Sequence, residues 1–456
     1  MKGLTWRVKL GFGAGDLGGN LFFTMSGFYL LFYLTDVAGM AAATAGTALM
    51  IGKIWDALSD PLTGYLSDRT PGRFGRRRPW IFAGAWLIWA GLIMMFLPPR
   101  GQPFLWVVLT YCLVNTGYTF INIPYGALTP DLTDDFHERT LLNGYRMSFA
   151  VVGTFIGAGA ILPLVNLFGG GAPGWVAMSA VIGGVIAASS LVVVAAIREK
   201  PWRGNLPGQN LLRSHLAVLR LRPFLLALIP WSLHIAGINI LQGALLYYFR
   251  FIYRDEGAFQ IALPILLGAT MVCIPLWVRI SAHIGKRSSY NLGMGIFAAA
   301  VLIFYVLGHR TGPGLAYLIM AVAGAGFATQ YVMPFAILPD IVDYDYAENG
   351  LRREGVFYGQ WTFMAKIGQA LGIALNGWIL TLFGYREALG GVVPEQPPSA
   401  LLGIRLIAGP LPALCFIAGI VILHFYPITR ARHDEIRQRI TLREAEEKGV
   451  PPEPRE

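Results

Sequence analysis

Residues 52–64, GKIWDALSDPLTG, place ionisable side chains inside one of the most apolar parts of the chain. Lys53, Asp56 and Asp60 are spaced i, i+3 and i+7, so a helix puts all three on one face. Ionisable groups are costly in an apolar environment and are usually kept there for a function. The stretch therefore predicts a membrane-spanning helix that carries a functional polar face.

The composition agrees with a polytopic membrane protein. The chain has 456 residues, of which 55% are hydrophobic and 14% charged, and its mean hydropathy is +0.54. A soluble domain of this length cannot bury so much apolar surface, whereas lipid solvates it. No cleavable signal is expected, because the first apolar run is long enough to span. The net charge is +10, and the cationic side chains are concentrated in alternate loops. This distribution indicates membrane topology and not nucleic-acid binding.

Apolar runs of about 20 residues predict the spanning helices. The candidate spans are 10–35, 41–66, 79–98, 104–128, 146–168, 175–196, 223–249, 258–281, 288–308, 313–338, 357–383 and 402–426. The expected fold is all-α, with these twelve transmembrane helices in two bundles of six. The bundles are expected at 1–197 and 223–428, with a linker at 198–222 and a solvated, partly helical tail at 429–456.

The charges of the loops predict the orientation. The loop SDRTPGRFGRRRP, after span 2, and the long loop after span 6 are rich in Lys and Arg, whereas DVAGMAAATA and NLFGGGAPG carry no cation. The positive-inside rule then places both termini in the cytoplasm. We expect a multi-pass protein of a bacterial plasma (inner) membrane.

A short internal sequence repeat supports the division into two halves. PLTGYLSDRTPGRFGRRR begins at residue 61 and PLWVRISAHIGKR begins at residue 275. Both read P-L-x4-S followed by a glycine with basic residues, at the same place in each half. Repeats of this kind are typical of two-bundle transporters that alternate access around a midplane site.

The opening stretch predicts a cation site. Asp56 and Asp60 lie a turn apart and repel each other unless a positive species lies between them. Na⁺ or a shared proton would fill this role, with the neighbouring Ser59 as a further oxygen ligand. The alternative is a structural Lys53–Asp56 ion pair, which does not account for Asp60. Lys366 in span 11 is either a partner of these carboxylates or a lysine that snorkels to the interface.

Other polar side chains of the spans are candidates for binding a solute. Asp16 and Asn20 share a face of span 1, and Arg146 opens span 5. Pro124 is expected to interrupt span 4 beside its polar residues. The complete solute-binding set is Asp16, Asn20, Tyr118, Asn122, Arg146, Trp361 and Lys366.

Seven stretches together resemble the glycoside–pentoside–hexuronide:cation symporters of the major facilitator superfamily, the family that includes melibiose permease. The stretches are FYLTDVAG, KIWDALSDPLTGYLSDRT, GRRRPWI, NIPYGALTPDL, ERTLLNGYRMSF, ILPDIVDYDYAENGLRREG and MAKIGQALG. The resemblance covers almost the whole chain. The resemblance implies the major facilitator fold and secondary active transport.

The resemblance also implies roles for individual residues. Asp56 and Asp60 match the two cation-binding carboxylates of the family, and Ser59 and Thr119 match neighbouring oxygen donors. Lys366 matches a lysine close to both the cation and the sugar. Arg146 matches an arginine that lines the sugar pocket, and Lys53 stands where the melibiose carrier has an arginine.

Two departures concern the solute. Asn20 and Asn122 stand where the melibiose carrier has the carboxylates that hold galactosyl hydroxyls, and Gly126 replaces an aromatic residue. An amide lacks the charge-assisted strength of a carboxylate, so galactoside specificity is not implied. Asp16, a turn before Asn20, either replaces a lost carboxylate or faces the cytoplasmic gate.

The expected function is symport of a sugar, glycoside or uronide with Na⁺ or H⁺ by alternating access. Two alternatives are a Na⁺-coupled lysophospholipid symporter of the same family and a passive uniporter. An enzyme is not expected, because the histidines are scattered and no nucleophile–base pair is recognisable. Beyond the coupling cation no cofactor is expected; the partners are a small solute and membrane lipids, and the protein is expected to act as a monomer.

Charges in the predicted cytoplasmic loops are candidates for a gate. Asp68 lies in GYLSDRTPGRFGRR, whereas Ala282 stands at that place in the second half, so the expected gate is asymmetric. Its expected members are Lys53, Asp68, Arg69, Arg77, Asp340 and Asp343. Pairs among them would hold the outward-facing state; the alternative is that they are solvated charges that only set topology.

Overall fold

The structure, a computed structural model, describes residues 4–70, 74–97, 103–132, 136–197, 199, 218–350, 353–387 and 394–448. Within these ranges it is almost entirely helical and contains no strand. Most of the expected linker, residues 198 and 200–217, lies outside the described residues, as do residues 449–456 of the tail.

Among the described residues, the first half contains nine α-helices in chain order. They are α1 (Trp6–Gly13), α2 (Gly15–Met25), α3 (Leu31–Asp36), α4 (Ala42–Arg69), α5 (Arg78–Met95), α6 (Pro103–Leu132), α7 (Phe136–Gly159), α8 (Ile161–Leu167) and α9 (Gly171–Ala196). A π-helical segment, Ser26–Leu30, joins α2 to α3, so that α1 to α3 form one long span.

The second half continues the numbering. Its helices are α10 (Arg222–Tyr247), α11 (Glu256–Ile284), α12 (Lys286–Leu307), α13 (Pro313–Phe327), α14 (Thr329–Asn349), α15 (Glu354–Leu382), α16 (Pro398–Ile407), α17 (Pro410–His424) and α18 (Arg430–Lys448). A π-helical segment, Tyr248–Tyr253, follows α10.

Ten spans among the described residues are long and apolar enough to cross a membrane, and the bent pair α7–α8 makes an eleventh. The remaining expected span corresponds to α4. With 28 residues, α4 is long enough to cross a bilayer at 1.5 Å per residue, but the polar face of the opening stretch lowers its hydropathy. The expected all-α, polytopic fold class is confirmed.

The chain divides into two compact units. Unit 1 comprises Met1–Pro207, Asn239–Pro264 and Gln369–Ala408. Unit 2 comprises Gly208–Ile238, Ile265–Gly368 and Gly409–Glu456. Each unit is described below by itself, and the division into bundles at 1–197 and 223–428 stays a prediction.

Unit 1 is packed through close helix crossings. Helix α5 lies against α6 and α9, α4 against α6, and α2 against α7. At the α5–α6 crossing, a Cβ on Gly84 would lie only 2.7 Å from the Gly117 carbonyl oxygen. Small residues at such crossings let backbones approach closely, which is how helices associate in lipid.

The end of α3 is tied to later segments of unit 1 by a buried polar cluster. Asp36, 4% exposed, accepts hydrogen bonds from the Tyr385 hydroxyl at 2.7 and 2.8 Å and from Thr35 at 2.7 Å. The Thr35 hydroxyl also lies 2.6 Å from that of Tyr247. This carboxylate is therefore fully engaged in joining α3 to α10 and to the residues after α15.

Unit 2 is built around α12, which packs against α13, α14 and α17. Its core holds a polar chain. The ring of His234, fully buried, lies 2.8 Å from the Tyr290 hydroxyl, which lies 2.6 Å from Gln330 Oε1. The chain links α10, α12 and α14 and contains no carboxylate.

Three expectations about helices differ from the structure. Pro124 does not interrupt α6, which runs on to Leu132. The span expected at 146–168 begins ten residues earlier, at Phe136, and bends by 50° after Gly159. The tail is not merely solvated: Ile436 and Ile440 of α18 are 3% and 7% exposed, and α18 packs on α14. Its apolar face explains the difference, because burying it orders the helix.

Candidate cation and solute site

Helix α4 presents the predicted polar face to the interior of unit 1. Lys53, Asp56 and Ser59 are 3%, 0% and 6% exposed, and Asp60 is partly exposed. The spacing in the sequence brings them together, as expected for a helix. Pro61, also within α4, removes one backbone donor directly after Asp60.

A hydroxyl from a second helix lies between the two carboxylates. Thr119 Oγ1 of α6 is 3.1 Å from Asp56 Oδ1 and 3.1 Å from Asp60 Oδ1. Ser59 Oγ lies 3.3 Å from Thr119 Oγ1 and donates to the Asp56 carbonyl oxygen at 3.1 Å. The four predicted cation ligands therefore converge as a cluster of oxygen atoms, the donor type that hard cations take.

Lys53 occupies the other side of Asp56. Its Nζ lies 3.4 Å from Asp56 Oδ2 and 3.3 Å from Asn115 Oδ1, and it also sits 4.9 Å from the centre of the Phe23 ring. The ion pair and the oxygen cluster therefore coexist, because Oδ2 of Asp56 faces Lys53 while Oδ1 faces Thr119. Sequence reasoning missed Asn115, although it lies one turn before Thr119 on α6.

A small cavity of about 90 Å³ lies beside this cluster within unit 1. Four predicted solute ligands line it: Asp16, Asn20, Tyr118 and Asn122. Tyr125 and Ser190 line it as well and were not predicted. Tyr118 and Thr119 are consecutive residues, so α6 contributes to the cavity and to the cation cluster at the same level.

Asp16 and Arg146 form an ion pair next to the cavity. Arg146 Nε donates to Asp16 Oδ2 at 2.6 Å, and its Nη2 lies 3.4 Å from Oδ1. The Tyr125 hydroxyl donates to Asp16 Oδ2 at 2.8 Å, and the guanidinium lies 4.8 Å from the Tyr125 ring centre. Asp16 thus lies in the predicted solute pocket and orients the arginine there.

The two other predicted solute ligands belong to unit 2. Trp361, 3% exposed, stacks on Trp231 with ring centres 5.3 Å apart. Lys366 lies five residues further along α15 and is 5% exposed. Its partnership with Asp56 or Asp60 stays a prediction.

The predicted gate residues form ion pairs within each unit. In unit 1, Arg77 Nη2 lies 3.3 Å from Asp68 Oδ1, while Arg69 stacks 3.7 Å from the Tyr65 ring centre. In unit 2, Lys286 Nζ lies 2.7 Å from Asp340 Oδ2, and Arg437 of α18 lies 3.4 Å from Asp343. Lys53, by contrast, pairs with Asp56 away from these residues. The sequence did not single out Lys286 or Arg437 as partners.

These helices, with buried carboxylates and a polar cavity among them, define a polytopic membrane transporter. The family model described as MFS/sugar transport protein matches residues 11–430. The chain therefore belongs to the MFS/sugar transport protein family, and the predicted resemblance to cation symporters of glycosides, pentosides and hexuronides is confirmed. Members of this class are transporters, so the chain is not an enzyme.

Known relatives extend over nearly the whole chain. A glucuronide carrier protein homolog of Escherichia coli is 28% identical, with 95% of each chain covered. A sodium-dependent lysophosphatidylcholine symporter of Danio rerio is 26% identical, covering 97% of this chain and 89% of the relative. The crystal structure of the nucleoside transporter NupG, 10% identical, has a TM-score of 0.69 over 91% of this chain and 98% of that one, which shows the shared fold.

Proposed function

We propose that this protein is a cation-coupled symporter of a sugar, glycoside or uronide that works by alternating access in a bacterial plasma membrane. One observation carries the proposal. Helix α6 places Thr119 against both carboxylates and the adjacent Tyr118 in the wall of the solute cavity. Any movement of α6 that follows the binding of one species changes the geometry offered to the other.

The coupling ion is Na⁺. A proton needs only one carboxylate, whereas Na⁺ needs several oxygen ligands, and the hydroxyls of Ser59 and Thr119 supply them beside Asp56 and Asp60. When Na⁺ binds, the repulsion between the carboxylates is removed. Moving one elementary charge inward is worth about 2.3 kcal/mol per 100 mV, which can drive accumulation of the solute.

The solute is held by amide, hydroxyl and charged groups around the cavity, which match the hydroxyl groups of a sugar. Asn20, Asn122 and Tyr118 supply neutral donors and acceptors, and Arg146 with Asp16 supplies charge-assisted hydrogen bonds. The cation and the solute must each raise the affinity for the other by the same factor.

A lysophospholipid is the second candidate solute, favoured by the likeness to the lysophosphatidylcholine symporter. The same cation cluster would serve it. The polar lining of the cavity and the sugar-transport family model favour the sugar class.

Thermal unfolding of the purified protein tests the proposal with a panel of sugars, glycosides, uronides and lysophospholipids, in NaCl and in choline chloride. Binding to the folded state raises the unfolding temperature by mass action. We expect a shift with a sugar-class solute that is larger in Na⁺. A Na⁺-dependent shift with lysophospholipid alone would transfer the function to the second candidate.

The same assay on Asp60→Asn separates the cation from the solute. The variant should lose the Na⁺ dependence, because a neutral amide then replaces one of the two carboxylates. Asp434→Asn, at an exposed position of α18, is the matched control and should behave as the wild type. Equal Na⁺ dependence in wild type and Asp60→Asn would refute the cation site. Equal shifts in acidic buffer without Na⁺ would identify the proton as the coupling ion.

A further inference from the structure

Each of the two repeated loop sequences leads into a helix, and the starts of these two helices differ. In the first half, α5 begins at Arg78, and the side chain of Glu199 accepts hydrogen bonds from the backbone N–H groups of Arg77 at 3.0 Å and Arg78 at 2.9 Å. The first N–H groups of a helix have no partner within the helix and attract anions. A carboxylate of the protein itself thus fills this anion position.

The space beside Gly75, in the loop before α5, is filled by the same Glu199 side chain. Gly75 has a positive φ of 92°, and a Cβ added there would collide with the Glu199 side chain. The guanidinium of Arg78 donates from Nε to the Val194 carbonyl oxygen at 3.0 Å, which anchors α5 to the end of α9. Asp68 adds a second carboxylate, 3.3 Å from Arg77.

The second half also has a glycine of positive φ before its helix, and the space beside this glycine is open among the described residues. Gly285, with a φ of 83°, directly precedes α12, whereas Gly75 lies three residues before α5, and a Cβ added at Gly285 would meet no described atom within 4 Å. Arg287 donates from Nη1 to the carbonyl oxygens of His424 and Tyr426 at 3.0 and 3.1 Å, just as Arg78 does to the end of α9. Ala282 stands where the first half has Asp68, and a cavity of about 530 Å³ opens beside these residues.

The lining of this cavity is rich in groups that donate hydrogen bonds. Lys286, Arg287 and Ser288 begin α12 there, and His283 and His433 also face it. Tyr426, 2% exposed, lines the cavity as well, and its buried hydroxyl has no hydrogen-bond partner among the described residues. Burial, with Asp340 nearby, raises the pKa of Tyr426, so this hydroxyl keeps its proton and remains a donor.

The negative charge in the lining is already compensated. Among the described lining residues Asp340 is the one carboxylate, and Lys286 Nζ contacts its two oxygens at 2.7 and 2.8 Å. His433 Nε2 lies 3.4 Å from the same carboxylate. The charge of Arg287 and the positive end of the 22-residue helix α12 remain to attract an anion.

We propose that this cavity binds a phosphate group at the start of α12, in the position that the Glu199 carboxylate takes at the start of α5. The backbone N–H groups of the first turn, Ser288, Arg287 and the Tyr426 hydroxyl hold its oxygens. The site is distinct from the cation and solute sites and goes beyond the proposed transport function. The phosphate belongs either to a soluble phosphate ester or to the headgroup of an anionic lipid.

Introducing a carboxylate at Ala282, where the first half has Asp68, tests the proposal. The unfolding temperature of the full chain is measured in potassium phosphate and in potassium chloride of equal ionic strength. We expect phosphate to stabilise the wild type and Ala282→Asn, and we expect its apparent affinity for Ala282→Asp to fall about tenfold or more, because a like charge then faces the anion. Equal phosphate effects in Ala282→Asn and Ala282→Asp, or none in the wild type, would overturn the proposal.

A second variant tests the hydroxyl without adding a charge. Tyr426→Phe removes a buried donor for which the described part of the chain offers no partner, so the variant should unfold at or above the wild-type temperature in chloride. In phosphate its gain in stability should be smaller than that of the wild type. A full phosphate effect in Tyr426→Phe would remove this residue from the site and, with an unchanged Ala282→Asp, the site itself.

The source of the phosphate is found by comparing glycerol phosphate with short-chain phosphatidic acid, each added to the delipidated protein in detergent. Stabilisation by both at similar concentrations assigns the site to a soluble phosphate ester, and stabilisation by phosphatidic acid alone assigns it to a lipid headgroup. In either case the apparent affinity should fall about tenfold or more in Ala282→Asp. Failure of both compounds in the wild type contradicts the proposal and leaves the transport function untouched.

Discussion

Two sets of buried polar groups, one in each unit, differ in kind. The set beside the cavity of unit 1 is charged: Asp56 lies between Lys53 and Thr119, and Asp16 is paired with Arg146. In the core of unit 2, His234, Tyr290 and Gln330 form a chain of neutral groups around α12. Buried charges cost more than buried neutral groups, and replacing them by apolar residues often stabilises a protein. We therefore expect the charged set of unit 1 to exchange with ligands and the neutral chain of unit 2 to serve the architecture.

Asp56→Asn should have the largest effect, a loss of concentrative uptake. The cation cluster loses the carboxylate that both Thr119 and Lys53 contact, so concentrative uptake into proteoliposomes under a Na⁺ gradient should fall by a factor of about 100 or more, to background. Passive exchange of the solute should persist. Accumulation at the wild-type level would show that Asp56 does not bind the coupling cation.

The stability of Asp56→Asn separates ligand exchange from packing. Lys53 is left buried without its charged partner, at a cost of about 3–5 kcal/mol. Adding Lys53→Met removes that charge, so the double variant should regain thermal stability but not transport. If the double variant transports, the pair is structural; if it remains as unstable as Asp56→Asn, the loss of stability has another origin.

Asp16→Asn tests the second charged pair of unit 1. The arginine loses its charged partner while Tyr125 and the introduced amide keep the pocket polar, so the affinity for a neutral sugar should fall by roughly tenfold, about the value of one charge-assisted hydrogen bond. Equilibrium binding with and without Na⁺ provides the measurement. Asn20→Asp, which adds a carboxylate one turn away, is the control for charge alone, and unchanged binding in Asp16→Asn would place the pair outside solute recognition.

His234→Phe should have a moderate effect, confined to stability. The variant loses contacts to Tyr290 and to the Phe416 carbonyl oxygen, and its free energy of unfolding should be lower by about 1–3 kcal/mol. The dependence of solute affinity on Na⁺ should stay as in the wild type. A change in that dependence would show that the neutral chain takes part in coupling.

Asp68→Asn should have the smallest effect, a shift between conformations. The Arg77–Asp68 contact is lost from the predicted cytoplasmic end of unit 1, and the partly exposed Asp68 contributes little to stability. Cysteine probes at the cytoplasmic face should react a few-fold faster, as expected if the inward-open form gains population. Equal labelling rates would favour a role in topology alone.

Helix periodicity predicted the part of the proposed cation site that α4 contributes, whereas Thr119 of α6 was predicted from the family resemblance. Lys53, Asp56 and Asp60 share a face because of their spacing, and Asn115 was within reach of the same reasoning, one turn from Thr119. The Asp16–Arg146 pair was not, because 130 residues separate its members and no spacing encodes their contact. Pro124 was misjudged because neighbouring helices can compensate the lost hydrogen bond within a membrane protein. The open space beside Gly285 could not be predicted, because it is recognised by comparison with Glu199 in the other half. No sequence pattern indicates the role of Glu199 there.

The docking of α18 has a practical consequence for the purified protein. Arg437 and Arg439 hold the helix to Asp343 and Glu348 by contacts of 3.4 and 3.0 Å at the exposed surface. Such contacts weaken with ionic strength, since the Debye length falls from about 10 Å at 0.1 M salt to about 3 Å at 1 M. When the protein is eluted in concentrated imidazole and NaCl through a C-terminal affinity tag, this helix is therefore bound less firmly than at the ionic strength of the cell. Dialysis to low salt should precede any measurement that involves it.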